Sequence, residues 1–177
     1  MSYSASSDII TNLDATPLVK ERTQESGGKV RSAYAEFTGA VFDALTAGQT
    51  AALARIPMNA RVRSIKLHQS TDAASGAFDV GVYRATGHDS ANTVIDAAGF
   101  AAAVDMTEGS GVHEGTEIID VAKVSIADRV KTVAELFSTA ITTAGAQNDA
   151  LVDIVVTIVT VMGTASPMGF EIEYVVD

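Results

Sequence analysis

The sequence predicts a mainly β protein. The expected form is an antiparallel, jelly-roll-like β-sandwich with one or two short helices and an extended N-terminal arm. Three observations carry this expectation. Short segments with a period of two recur along the chain, separated by turns of small residues. The most apolar run, Leu151–Met162 (LVDIVVTIVTVM), is rich in Val, Ile and Thr, as suits a strand buried on both faces. No repeat of fixed period is present, which sets solenoids and propellers aside. A double-sheet jelly roll is one of the solutions that protects edge strands.

A chain of 177 residues fits one domain. It buries roughly 70% of its unfolded surface and needs no staples. The expected division is an arm over residues 1–28 and a sandwich over 29–177. The arm, MSYSASSDIITNLDATPLVKERTQESGG, has scattered apolar residues, no sustained period and a Gly27-Gly28 end. A segment of this composition cannot fold alone. Its apolar residues Ile9, Ile10, Leu13, Leu18 and Val19 are therefore candidate anchors on a partner.

The sandwich elements follow in order. In KVRSAYAEFTGAVF, Val30, Ser32, Tyr34 and Glu36 alternate with Arg31, Ala33, Ala35 and Phe37, a loose strand signal. Thr50–Pro57 is a second short strand, and Pro57 and Asn59 make a turn after it. ARVRSIKLHQS places Val62, Ile65 and Leu67 inward across a bulge or phase shift. Arg61, Arg63, Lys66 and His68 stay outward. DAASG is a turn. In AFDVGVYRA, Phe78, Val80 and Val82 share one face, and Asp79, Gly81 and Tyr83 the other. Val94–Met106 is Ala-rich, with Phe100 and Val104 four apart, and reads as a short helix or an ordered insertion. Ser125–Ser138 carries capping-box-like spacing at Ser125 and Asp128 and a helical stripe of Val130, Val133, Leu136 and Phe137. Two strands close the chain, Leu151–Met162 as a central one and Met168–Val176. In the latter, Phe170, Ile172, Tyr174 and Val176 oppose Glu171 and Glu173.

The formal net charge of −10 speaks against a surface for phosphate backbones or anionic membranes, so neither nucleic acid nor membrane is an expected partner. The first residues lack a basic start followed by an apolar run, and Leu151–Met162 is too short to span a bilayer. There are no cysteines, which removes disulfides and thiolate metal sites. His68, His88 and His113 are far apart and match no zinc spacing. Thr86–Asn92 (TGHDSAN) mixes His88, Asp89 and Ser90. Side chains so close in sequence rarely converge on one reacting atom, so a polar loop is the better reading. Asp105–Glu117 (DMTEGSGVHEGTE) fits neither a phosphate-binding loop nor a calcium loop with acids at alternating positions. A weak calcium site through Asp105, Glu108 and Glu114 competes there with a plain surface loop. The expectation is a protein without catalysis and without a cofactor.

The segments GGKVR, ALARIPMNARV, DVGVYRA, AGFAAAVDM and DIVVTIVTVMGTASPMGFEIEYVVD, taken in this order, resemble a group of small tailed-phage virion proteins. These are the capsid decoration, or cement, proteins, with a jelly-roll-like sandwich. The resemblance covers roughly Gly27 to Asp177 and leaves the arm uncovered. ATGHDSANTVID and GSGVHEGTEIIDVA are longer than the pattern. The resemblance implies a structural protein on the outer surface of the capsid, bound to the major capsid protein and stabilising the head. It further implies a closed ring, a homotrimer with a dimer as runner-up. Arg61, Arg63 and Lys66 are then candidate contacts to an acidic shell. Two other functions compete. A carbohydrate-binding or host-attachment module is disfavoured by the absence of Trp and the few Tyr, which leave few stacking platforms. A cell-wall hydrolase would need paired carboxylates or a metal in a pocket.

Overall fold

A computed structural model describes residues 5–6, 29–69, 75–85, 94–106, 114–163 and 167–176. Its strands are β1 (Ala5–Ser6), β2 (Lys29–Phe37), β3 (Thr50–Pro57), β4 (Arg61–Gln69), β5 (Ser75–Arg84), β6 (Val94–Asp105), β7 (Glu114–Glu117), β8 (Leu151–Gly163) and β9 (Met168–Val176). Three short helices accompany them: α1 (Gly39–Asp43), α2 (Val133–Leu136) and α3 (Ser138–Thr143), with a 3-10 turn at Asp128–Val130.

The strands form two sheets, in the orders β1-β3-β8-β5-β6 and β2-β9-β4-β7. From β2 onward the chain passes from one sheet to the other at almost every step, pausing only at β5 and β6. That alternation is the jelly-roll order. The pairs are antiparallel except β1 with β3, which run parallel.

The alternation read from the sequence explains the core. On β2, Ala33, Ala35 and Phe37 are buried while Val30, Ser32, Tyr34 and Glu36 are exposed. On β9, Phe170 and Ile172 are buried and Tyr174 and Val176 pack against the same core. Phe170 lies at the centre of a ring cluster, 5.8 Å from Phe78, 6.2 Å from Phe42 and 6.4 Å from Phe37. Tilted and edge-on contacts at such separations are favourable arrangements for aromatic rings. β8 is the middle strand of its sheet, and Val152 through Val156 are all buried. The expected bulge on β4 is present as a register shift between Val62 and Ser64 against β9, and it keeps Val62, Ile65 and Leu67 all inward.

The other face of the five-stranded sheet buries a smaller cluster of Ala52, Tyr83 and Val155, with Ala97 against it. Gly81 permits this. A Cβ there would collide with the backbone carbonyls of Asp96 and Ala97, so only glycine lets β6 approach so closely.

Three expectations need correction. Val94–Met106 is neither helix nor insertion, because Val94–Asp105 is the edge strand β6. The four-residue spacing of Phe100 and Val104 misled: Ile95, Phe100 and Ala101 are buried by pairing with β5, and register shifts break the strict alternation. Ser125–Ser138 is not one helix. Ser125 and Asp128 close only the 3-10 turn, and Val130 is exposed. The capping box lies at Thr132 and Glu135, where α2 begins with Val133 buried. The expected one or two short helices are three among the described residues. Past Phe37 the chain turns into α1, which buries Phe42.

Candidate interaction surfaces

The outer face of the four-stranded sheet gathers most of the cations the sequence singles out. Its register sets Lys66 opposite Glu171 on β9 and Glu117 on β7. The Lys66 ammonium lies 3.8 Å from both Glu171 and Glu173, and His68 Nε2 lies 3.6 Å from Glu171. Lys66 is thus half-buried within a carboxylate frame rather than offered freely. Arg63 sits at the bulge and is exposed. Its backbone carbonyl accepts a 3.0 Å hydrogen bond from Arg129, which also lies 3.6 Å from Glu117. Arg61 is half-buried, and its charge adds to the Thr132 hydrogen bonds that chiefly hold the Glu135 carboxyl low. Tyr34, exposed on β2, lies over Gly169 of β9 and beside His68, with ring centroids 6.1 Å apart. Ile9, Ile10, Leu13, Leu18 and Val19 lie outside the described residues, as do His88, Glu108 and His113.

Beside Arg63 and Arg129, the segment after β7 forms a second surface that sequence reasoning missed. Ile118, Ile119 and Val124 anchor it in the core. Val121, Ile126 and Val130 point outward, 62%, 79% and 61% exposed. These are among the most exposed large apolar side chains described, and they fall within one short stretch. Their spacing of five and four residues follows no strand or helix face, so no periodicity announces them. The stretch is nonetheless ordered by polar contacts. Hydrogen bonds from Lys131 and then from Ser125 hold the Asp128 carboxyl below its usual range, and Asp128 raises Lys131 in return. The Thr132 backbone N–H does the same for Glu135 by donating to its carboxylate.

The remaining polar groups are structural. Arg55 on β3 grips Asp153 on β8 through Nε–Oδ1 and Nη2–Oδ2 contacts of 2.7 and 3.1 Å. Arg84 holds Asp149 in the same bidentate manner, at 2.6 and 2.9 Å. Tyr83 shares a 2.7 Å hydrogen bond with Thr157, and burial pushes its phenol above the ordinary value. A charge set within an apolar run, as in LARIP and VDIVV, is the sequence signal of the first pair. A depression of about 490 Å³ beside α1 is lined by Ala40, Val41, Ala44, Leu45 and Gln49, none of them ionisable. Among the described residues no group of three or more His, Asp or Glu side chains is placed to hold a metal ion. No described helix is long and apolar enough to cross a membrane.

No protein family matches the sequence, and no curated protein does. Among solved structures, the chain is similar to a chain in the capsid of Ralstonia phage GP4. The TM-score is 0.62 at 17% identity, over 97% of each chain. It is also similar to a chain of the cyanophage Pam1 capsid asymmetric unit, with a TM-score of 0.47 and 14% identity over 89% of this chain and 92% of that one. The likeness to the Ralstonia phage chain is one of fold, and it runs nearly end to end.

Proposed function

We propose that this chain is a structural protein of a phage virion that binds the outside of the major capsid protein shell and stabilises the head as a cement protein. The observation that carries the proposal is the match of the whole jelly roll to a chain in the capsid of Ralstonia phage GP4. The described surface suits the role. Its charged side chains are largely engaged with one another, and three of its exposed large apolar side chains, Val121, Ile126 and Val130, fall within one short segment that offers apolar contact to a partner. Arg63 beside that patch provides a cation for an acidic shell surface. The protein works by contact, without catalysis, cofactor, nucleic acid or membrane. It assembles as a closed homotrimer, with a dimer as runner-up, and the apolar arm residues Ile9, Ile10, Leu13, Leu18 and Val19 tie it to a neighbouring subunit.

The test is a cryo-EM reconstruction of virions carrying the protein, together with binding of the purified chain to shells lacking it. Density for a ring of sandwiches on the outer shell surface is the expected result. Density inside the shell wall, or in the tail alone, would overturn the proposal.

A further inference from the structure

The parallel pair of β1 and β3 stands apart from the antiparallel sandwich. Ala5 and Ser6 lie beside Ala51 and Ala52, and β1 extends the outer edge of the five-stranded sheet at β3. Residues 7–28 join this strand to β2, and they are far more chain than the join requires.

The distance follows from the register. β2 and β4 run parallel to one another, since each pairs antiparallel with β9. A short turn at Met58–Ala60 reverses the chain between β3 and β4, so β3 runs opposite to β2. β1, parallel to β3, therefore also runs opposite to β2. Val30 and Arg61 both pair with Val175, which puts the start of β2 level with the end of β3. β2 is an edge strand of one sheet, β3 is the last strand before the two residues of β1 in the facing sheet, and the two touch each other. From Ser6 to Lys29 within one copy, the chain must cross one sheet-to-sheet spacing of about 10 Å. It must also travel about five residues along the strands. The gap is roughly 20 Å, which about six extended residues cover. Residues 7–28 reach on the order of 70 Å when extended, well beyond the roughly 40 Å diameter expected of a domain this size.

We infer that the edge of β3 is the docking site for the N-terminal strand of a second copy of this chain. β1 of one subunit is laid parallel on β3 of its neighbour, so that subunits are joined by strand exchange. An edge strand is a ready template for a further strand, and exchange of an identical element between protomers is a low-cost route to an oligomer. Strand addition supplies main-chain hydrogen bonds whatever the side chains are. That suits Ala5 and Ser6, which have little side chain to offer. The inference rests on reading the arm as an intersubunit tie, and it adds the surface that receives the arm.

The chain has no cysteine, so introduced thiols pair with nothing else. Full-length Ser6→Cys and Ala52→Cys chains, each confirmed to melt like the parent, are mixed, oxidised and run on a non-reducing gel. A disulfide-linked pair in the mixture, absent from either variant alone, is the expected result. A chain carrying both substitutions should give covalent oligomers that end at the size of the closed ring. The Ala5→Cys and Ala51→Cys pair repeats the test at the adjacent register position and covers a variant that fails to fold. Intrachain disulfides in the double variants with no product in the mixtures would overturn the inference, as would no disulfide from either pair. Shell binding is measured on the same unoxidised proteins. Binding that persists alongside intrachain disulfides would sink strand exchange and leave the proposed capsid role standing.

Discussion

Asp153 is fully buried on β8, and Arg55, with 4% of its side chain exposed, faces it from β3. Their bidentate contact is shielded from solvent, so the modest worth of a surface ion pair does not apply. Replacing Asp153 with Ala leaves a guanidinium buried without its carboxylate, and breaking a buried pair in this way costs about 3–5 kcal/mol. For a domain of this size each kcal/mol lowers Tm by about 2–4 °C, so the transition should fall by roughly 6–20 °C. Taking both charges away is a different perturbation. An Arg55→Met, Asp153→Leu double variant keeps the volume and leaves no orphaned ion, and such replacements are neutral or stabilising by about 1–4 kcal/mol. Urea and thermal unfolding of the parent, Asp153→Ala and the double variant, followed by circular dichroism, separate the orphaned charge from the loss of the pair. The reasoning fails if Asp153→Ala costs less than about 1 kcal/mol, or if the double variant is as unstable as the single one.

Gly81→Ala should cost at least about 1–3 kcal/mol, because the obstructing atoms are the backbone carbonyls of Asp96 and Ala97; faster amide exchange confined to β5 and β6 would locate the damage. Tyr83 has a folded pKa raised above 10.0, by burial first and by the Asp79 and Asp96 carboxylates after it. Its contribution to stability is therefore intact below pH 10 and lost as pH rises through the folded value. Alkaline unfolding should be shallower in Tyr83→Phe than in the parent, and equal slopes would refute the assignment. Ile154→Asp places an unpaired charge at a fully buried position of the middle strand and should abolish folding, so a soluble variant with a cooperative melt would contradict the core described for β8. Arg63→Glu reverses an exposed charge beside the apolar patch. It should weaken binding to isolated shells, most at low salt, with the melting temperature unchanged; undiminished binding would remove Arg63 from the contact surface.

Where the sequence was informative, burial and charge changed together from one residue to the next. β9 shows this best: Glu171 and Glu173 between Phe170, Ile172 and Tyr174 leave one possible phase. The bulge on β4 was legible because Val62, Ile65 and Leu67 cannot share a face without it. β6 was misread because alanine contributes little to any periodicity. Its kink adds to the difficulty: Ala103 has a φ of 48° and donates its N–H to Asp79, a tertiary contact that no local pattern encodes. β7, with the sequence EGTE, has no apolar residue and exists as a strand through its pairing with β4. The same limit applies to the candidate surface. Arg63 and Lys66 are outward by period alone, but the carboxylates around Lys66 come from β9, far along the chain. The exposed patch of Val121, Ile126 and Val130 lies on a segment held by turns and buried anchors, where sequence spacing says nothing about which side chains face out.

The position of β9 between β2 and β4 governs how the chain can be made. β2 emerges from the ribosome early, yet its hydrogen-bonding partner is the last strand of this sequence, and β4 waits for the same strand. Until residues 168–176 are synthesised, the four-stranded sheet lacks its middle, Phe170 is missing from the ring cluster, and two apolar strands present open edges. Such non-local closure makes folding slow, and the exposed edges make the waiting chain prone to pair with others like it. A truncation before Met168 should therefore remove the whole fold rather than one strand. The interval before β9 closes the sheet is when the protein is most exposed to misassembly.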